Sequence, residues 1–197
     1  MRRRTTLTLA GALALATPLI ITGTAYAHGY TTDPPSRSYR CSTGEVSDCG
    51  DITYEPQSVE GPKGFPEAGP ADGKLCAAGK NEWAQLDDPR GGQWPAEQVT
   101  GGQSYTFGWH FTVIHATSSF RFFITKEGWD PTKALTRADL ESTPFVNVDF
   151  GGERPDGDWS QQGTMPTGHT GRHLIVGVWD IADTGNAFYS CADVDFG

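Results

Sequence analysis

The fold is best read from residues 105–115, which run YTFGWHFTVIH. Apolar side chains recur at every second position, at Phe107, Trp109, Phe111 and Val113, which is typical of a strand with one buried face. Four further runs have the composition of strands: 119–125 (SFRFFIT), 145–150 (FVNVDF), 173–179 (HLIVGVW) and 187–196 (AFYSCADVDF). Short strands with turn signals between them and few helical patterns predict an all-β, antiparallel sandwich.

The segment before these strands has a different character. Residues 28–102 are rich in Gly, Pro, Asp and Ser and show little sustained periodicity, so they predict a long loop insertion with a short helix near 80–86. A second helical turn is expected at 137–141. Long irregular segments in compact domains often carry function.

Residues 1–27 resemble a secretory leader. Three arginines at 2–4 precede an apolar run at 7–21, and Ala25-Tyr26-Ala27 has the small-x-small pattern of a signal-peptidase site. An uncleaved membrane anchor is the alternative, but the run is short and contains Pro18. We therefore expect cleavage after Ala27, one domain over 28–197, and a secreted protein without a membrane segment; the general and the twin-arginine export routes both stay open.

The charge of the predicted mature chain excludes several partners. The leader holds three of the fifteen Lys and Arg and none of the twenty-four Asp and Glu, so 12 basic and 24 acidic residues remain, a net charge of −12. A chain this acidic, without a basic cluster, is a poor match for nucleic acid or anionic lipid. A neutral or cationic partner such as chitin or cellulose fits better.

Four cysteines, Cys41, Cys49, Cys76 and Cys191, predict two disulfides in an exported protein. Three pairings are possible. The short spacing of Cys41 and Cys49 favours a local bridge, which leaves Cys76 with Cys191. A metal cluster is the alternative, but no Cys-x-x-Cys spacing supports it.

The five histidines differ in what they could do. Cleavage after Ala27 would give His28 a free α-amine beside its imidazole, two nitrogens that no internal histidine offers. His115 ends the first strand, and a structural role competes there with a functional one. His110 has the opposite parity and is interpreted as structural. His169 lies in a Pro/Gly-rich turn and is expected to be solvated, whereas His173 opens a strand and is expected to pack. No His-x-x-x-His helix is present, which excludes a zincin.

The chain resembles the chitin-active group of bacterial lytic polysaccharide monooxygenases, auxiliary activity family 10. The resemblance spans the mature chain. It is carried by HGY at 28–30, YEPQSVEG at 54–61, GFP at 64–66, GPADG at 69–73, residues 115–126 ending in FITK, WD at 129–130, LTR at 135–137, WDIADT at 179–184 and NAFY at 186–189.

The resemblance implies an immunoglobulin- or fibronectin III-like sandwich with a flat substrate face and one copper ion. Carried over by position, His28 (amine and imidazole) and His115 would hold the copper, and Phe188 would fill one axial position. Glu60 matches a carboxylate beside the site. Further residues match the binding face: Tyr54, Glu55, Asp183 and Asn186. The family's usual alanine beside the second histidine is Val113 here, a change expected to alter access to the copper.

The implied activity is oxidative. Three nitrogen donors suit copper, which leads the divalent affinity order. The expected reaction is cleavage of crystalline chitin at C1 to aldonic acid ends by a monomer, with O₂ or H₂O₂ and an external electron donor. C4 oxidation and activity on cellulose stay open. The alternatives are a non-catalytic chitin-binding protein, a copper-storage or delivery protein, and a glycoside hydrolase using Glu60 and Asp183.

Overall fold

The computed structural model describes residues 27–197. Nine strands form within these residues: β1 His28–Asp33, β2 Glu60–Pro62, β3 Glu97–Gln98, β4 Ser104–Val113, β5 Thr117–Ile124, β6 Val146–Asp149, β7 Trp159–Thr164, β8 Arg172–Ile181 and β9 Asn186–Asp195. The same part of the chain has one α-helix, α1, at Arg37–Ser42. Short 3₁₀ turns span Gly50–Thr53, Asn81–Leu86, Arg90–Gly92 and Arg137–Asp139.

The strands form two sheets that pack as a sandwich. The smaller sheet has the order β1-β4-β7, and the larger has β2-β9-β8-β5-β6 with β3 added beside β9. The pairings between named strands are antiparallel except β3 with β9. The expected all-β sandwich is confirmed. No helix among residues 27–197 is long and apolar enough to cross a membrane.

Strand β8 packs against a core on each of its faces, which explains its nearly continuous apolar sequence. Ile175, Trp179 and Ile181 face the interior of the sandwich, together with Trp109 and Phe188. The residues of opposite parity on β8 face a second core formed with the long early segment: Leu174, Val176 and Val178. A strand buried on both faces loses the alternation that a half-buried strand shows.

The long early segment covers the outer face of the larger sheet. Ser36 caps α1 by accepting a hydrogen bond from the Tyr39 amide. The buried guanidinium of Arg37 donates to both carboxylate oxygens of Asp193 on β9, at 2.7 and 3.0 Å. Because this ion pair is bidentate and buried, it fixes the helix against the sheet.

The two disulfides are those that the spacing favours. Cys41 pairs with Cys49 across eight residues. Cys76 pairs with Cys191 across 115 residues and ties the early segment to β9. No free cysteine is present in the described part of the chain.

The five strands predicted from composition all form, and so do the helical turns near 80–86 and 137–141. Four strands, β1, β2, β3 and β7, were not predicted. β7 reads WSQQGT, and only Trp159 of its six residues is buried. β1 alternates weakly because its buried positions are Gly29 and Thr31 rather than large apolar residues.

Candidate metal centre and binding face

The two candidate copper ligands lie at one end of the sandwich. His28 begins β1 and is the partner of Val113, the last residue of β4. His115 follows two residues later, in the turn between β4 and β5. Because β1 and β4 are antiparallel, the start of one strand and the end of the other meet at the same edge. The topology therefore brings His28 and His115 together.

The turn that carries His115 is fixed on both sides. The Ala182 amide donates to the Ala116 carbonyl at 2.8 Å, which joins the turn to the end of β8. The Thr117 hydroxyl donates to the His115 carbonyl at 3.0 Å. These bonds set the direction in which the His115 side chain leaves the backbone.

The ring of His115 faces a carboxylate with one of its nitrogens. Oδ1 of Asp183 lies 2.9 Å from Nδ1, but outside hydrogen-bond geometry, so Nδ1 is a buried nitrogen without a hydrogen-bond partner among the described residues. Carboxylates beside one ring nitrogen are usual for histidines whose other ring nitrogen binds a metal.

Phe188 approaches His28 from the larger sheet. The two ring centroids are 6.3 Å apart, and the Phe188 side chain is fully buried. Phe188 is the partner of Glu60 in the β2–β9 ladder. The Glu60 carboxylate accepts a 2.7 Å hydrogen bond from the side-chain amide of Asn186. Four of the predicted site residues, His28, Phe188, Glu60 and Asn186, are thus linked by direct contact or register.

Tyr54 lies on the surface. Its side chain is 83% exposed, which excludes a core role. The 3₁₀ turn Gly50–Thr53 buries Ile52 completely and directs the next residues outward, so Glu55 is exposed as well. The Gly29 amide donates to the Gln57 carbonyl at 3.2 Å, which ties this loop to β1 directly after His28.

Val113 departs from the pattern of its strand. Phe107, Trp109 and Phe111 are buried as their parity predicts, but Val113 is 40% exposed because β4 passes the edge of the core there. Tyr54 and Val113 are the two exposed large apolar residues in the described part of the chain. Val113 lies beside His28, so its exposed methyl groups border the candidate metal centre.

A groove of about 630 Å³ adjoins Glu60 and Asn186. Its walls are the segments 60–62, 69–71 and 78–80 together with Lys74. Arg137 orders one wall by donating to the carbonyls of Pro66, Ala68 and Pro70 and to the Asp72 carboxylate. The volume falls in the range of small-ligand sites.

Among residues 27–197, no group of three or more His, Cys, Asp or Glu side chains is placed to hold a metal ion. A site built from two imidazoles and one α-amine does not need such a group, and in the full-length chain the α-nitrogen of His28 is bonded to Ala27. The buried Nδ1 of His115 against Asp183 and the nitrogen-rich donor set fit copper. The residues that would hold it are His28 and His115.

The other three histidines contact residues that are not part of the candidate site. His110 places Nδ1 2.8 Å from Asp158, consistent with a structural role. His173 is buried, with Nδ1 2.9 Å from the Thr125 hydroxyl, as expected of a packing residue. His169, which was expected to be solvated, is partly exposed, and its ring centroid lies 4.6 Å from that of His173.

The sequence did not indicate how buried residues near the candidate site contact one another. Trp109 and Trp179 are buried as predicted. However, no motif indicated that the Trp179 indole would donate to Thr117. The partners are 62 residues apart in sequence, so only the paired strands bring them together.

Comparisons with known proteins point to one family. The profile of the family described as "Lytic polysaccharide mono-oxygenase, cellulose-degrading" matches residues 28–194. GlcNAc-binding protein A of Shewanella oneidensis is 38% identical over 196 residues, which cover 100% of this chain and 41% of that protein. The chain spans about half the length of the curated relatives that it matches.

Solved structures show the same fold. An AA10 lytic polysaccharide monooxygenase from Streptomyces lividans has a TM-score of 0.84 and 53% identity, over 86% of this chain and 100% of that one. The Bacillus amyloliquefaciens CBM33 protein in complex with Cu(I) has a TM-score of 0.77 and 39% identity, over 85% and 99% of the two chains. The chain therefore belongs to the AA10 lytic polysaccharide monooxygenases, a family of copper-dependent enzymes.

Proposed function

We propose that residues 28–197, once the leader 1–27 is removed, form a single secreted domain that binds one copper ion and cleaves crystalline chitin by oxidation. Attack at C1 would break the glycosidic bond and leave a lactone that hydrates to an aldonic acid. The domain acts as a monomer, with O₂ or H₂O₂ as co-substrate and electrons from an external donor.

One observation carries this proposal. His28 begins β1 beside the end of β4, and His115 follows that end by two residues. An N-terminal histidine and a second histidine at the same edge supply three nitrogen donors without a cluster of side chains. This arrangement requires the free amine, which links the candidate metal centre to cleavage after Ala27.

The chain's own residues would divide the work. His28 and His115 hold the copper, which when bound supplies the one-electron chemistry for activating the oxygen co-substrate. Phe188 has no donor atom, so its ring blocks one approach to the metal sterically. Asp183 orients the His115 ring through Nδ1. Asn186 holds the Glu60 carboxylate in one position beside the site.

Binding of the polysaccharide would use the exposed residues around the metal centre. Tyr54 presents a free ring face for stacking on a sugar, and Glu55, Glu60, Asp183 and Asn186 supply hydrogen-bonding groups. A site at the surface suits a crystalline substrate, since a single chain is not easily lifted into a deep cleft.

The Shewanella relative is named for binding GlcNAc, which favours chitin as the substrate. Cellulose is the second candidate, because the matching family is described as cellulose-degrading. Both substrates would use the same metal centre, and they differ in the N-acetyl group of each sugar.

The proposal is tested at the N-terminus. A mature chain that begins with His28 should bind Cu(II) tightly, whereas a chain that retains Ala27 should lose tight binding and form no oxidised products. The two proteins differ only by Ala27, which is buried against the sandwich core in the full-length chain, so the thermal stability of both is measured without metal as the control. Equal copper affinity in both proteins would contradict the proposed ligand set.

A further inference from the structure

Trp179 touches all three elements that carry the candidate metal centre. It is fully buried on β8, and its ring centroid lies 5.1 Å from that of Phe188 on β9. A methyl group added at Gly29 on β1 would come within 3.3 Å of its Cζ3 atom. Its indole N–H donates to the Thr117 hydroxyl at 2.8 Å. The Trp179 side chain thus contacts Gly29, Phe188 and Thr117, which follow or adjoin the two candidate ligands.

The Thr117 hydroxyl completes the connection to His115. A hydroxyl has one proton to donate and lone pairs to accept with. Thr117 accepts from Trp179 and donates to the His115 carbonyl at 3.0 Å. Thr117 is fully buried and begins β5, and its own backbone bonds to Glu153 and Gly152. The hydroxyl is therefore held in one orientation from both directions.

The backbone of β1 is closely packed at Gly29, directly after His28. A methyl group at Gly29 would come 2.8 Å from the His110 carbonyl oxygen and 2.9 Å from Cδ1 of Phe111. Phe111 in turn packs against Trp179 with ring centroids 4.5 Å apart. The backbone that presents His28 thus rests on the same aromatic surface as the turn that presents His115.

We propose that Trp179 and Thr117 act as a positioning pair that sets the mutual geometry of His28 and His115 for metal binding. This inference rests on the proposed function. Neither residue touches the metal. The pair acts through the His115 carbonyl on one side and through Gly29 and Phe188 on the other, so losing the hydroxyl leaves the ligands present but less well placed.

The test replaces the hydroxyl and keeps the shape. Thr117→Val removes the hydroxyl and leaves the Trp179 N–H and the His115 carbonyl without this partner. Thr117→Ser retains the hydroxyl. Supporting residues around metal sites change metal affinity by about 10- to 100-fold when altered. We expect Thr117→Val to weaken Cu(II) binding by about tenfold and to change its electron paramagnetic resonance spectrum, and Thr117→Ser to keep both near wild type.

Thr125 provides a matched control at the other end of β5. It is also fully buried, and its hydroxyl accepts from the Leu174 amide at 3.0 Å and lies 2.9 Å from His173 Nδ1. Thr125→Val removes the same group from a similar environment, about 26 Å from Thr117 at the rise of a β-strand. It should lower thermal stability comparably and leave the copper affinity and spectrum unchanged.

All measurements use the mature chain with Cu(II) alone, without polysaccharide. Wild-type affinity and spectrum in Thr117→Val would overturn the inference, and so would an equal loss of affinity in Thr125→Val or in Thr117→Ser. If Thr117→Val does not fold, Trp179→Phe removes the indole donor instead, and an unchanged spectrum there would overturn the inference. A wild-type chain that binds no Cu(II) would overturn the proposed function and this inference together.

Discussion

Replacing Tyr54 with alanine should separate polysaccharide binding from the metal centre. The Tyr54 side chain is 83% exposed, so its removal takes little from the core and should change the free energy of unfolding by less than about 0.5 kcal/mol. An aromatic contact contributes about 1 kcal/mol. Losing that contact should weaken binding to chitin about fivefold, and the copper spectrum should stay the same because Tyr54 is not a ligand.

Binding is measured by depletion of the protein from solution over a series of chitin concentrations. Tyr54→Phe is the matched control, since it retains the ring face and loses only the hydroxyl. It should bind within about twofold of wild type if stacking carries the contact. Unchanged affinity in Tyr54→Ala would refute the stacking role. An equal loss in both variants would show that the hydroxyl, rather than the ring, makes the contact.

Two predictions concern stability. The Cys76–Cys191 disulfide closes a loop of 115 residues, and Cys41–Cys49 closes a loop of eight. The chain-entropy relation predicts that removing them lowers the free energy of unfolding by about 4.8 and about 2.5 kcal/mol, respectively. Equal decreases in denaturant unfolding would contradict this prediction. Burial raises the pKa of Asp87 to about 6. Hydrogen bonds from the Ala77 and Cys76 amides and the nearby charges of Arg37 and Lys74 lower this pKa, but by less than burial raises it. The native state then holds a proton that the unfolded state has lost between about pH 4 and 6, so this group's stability contribution falls as pH rises through that window. Asp87→Asn should stabilise the protein at pH 7 relative to wild type but not at pH 4; an equal gain at both would contradict the assignment.

The sequence predicts the strands that are rich in apolar and β-branched residues and misses strands such as β7, whose residues are mostly polar. The alternation of β4 and the apolar runs of β8 and β9 predict the sandwich, because each buries a face or both faces. Only one of the six residues of β7 is buried, so its side chains show no strand pattern. β7 forms a strand because its backbone pairs with β4. Val113 continues the apolar alternation of β4 but is exposed, so the alternation alone does not show where the buried core ends.

Some residues of the candidate site could be predicted from the sequence, and others are found only in the structure. His28 could be proposed from the cleavage pattern alone, because processing gives it a nitrogen that no internal residue has. His115 needed the resemblance, since a histidine at the end of a strand is equally well explained as structural. The contact between Asp183 and His115 and the hydrogen bond from Trp179 to Thr117 come only from the structure, because each joins segments that are far apart in the chain.

Mass spectrometry of the soluble products from crystalline chitin decides whether the domain cleaves the polymer by oxidation. The mature chain that begins with His28 is incubated with copper and ascorbate, beside cellulose as the second substrate and His115→Ala as the inactive control. We expect chito-oligosaccharides with aldonic acid ends from the wild type and none from His115→Ala, which should still fold and bind chitin. Products without oxidised ends, or equal oxidation by His115→Ala, would show that this domain does not cleave chitin through the proposed metal centre.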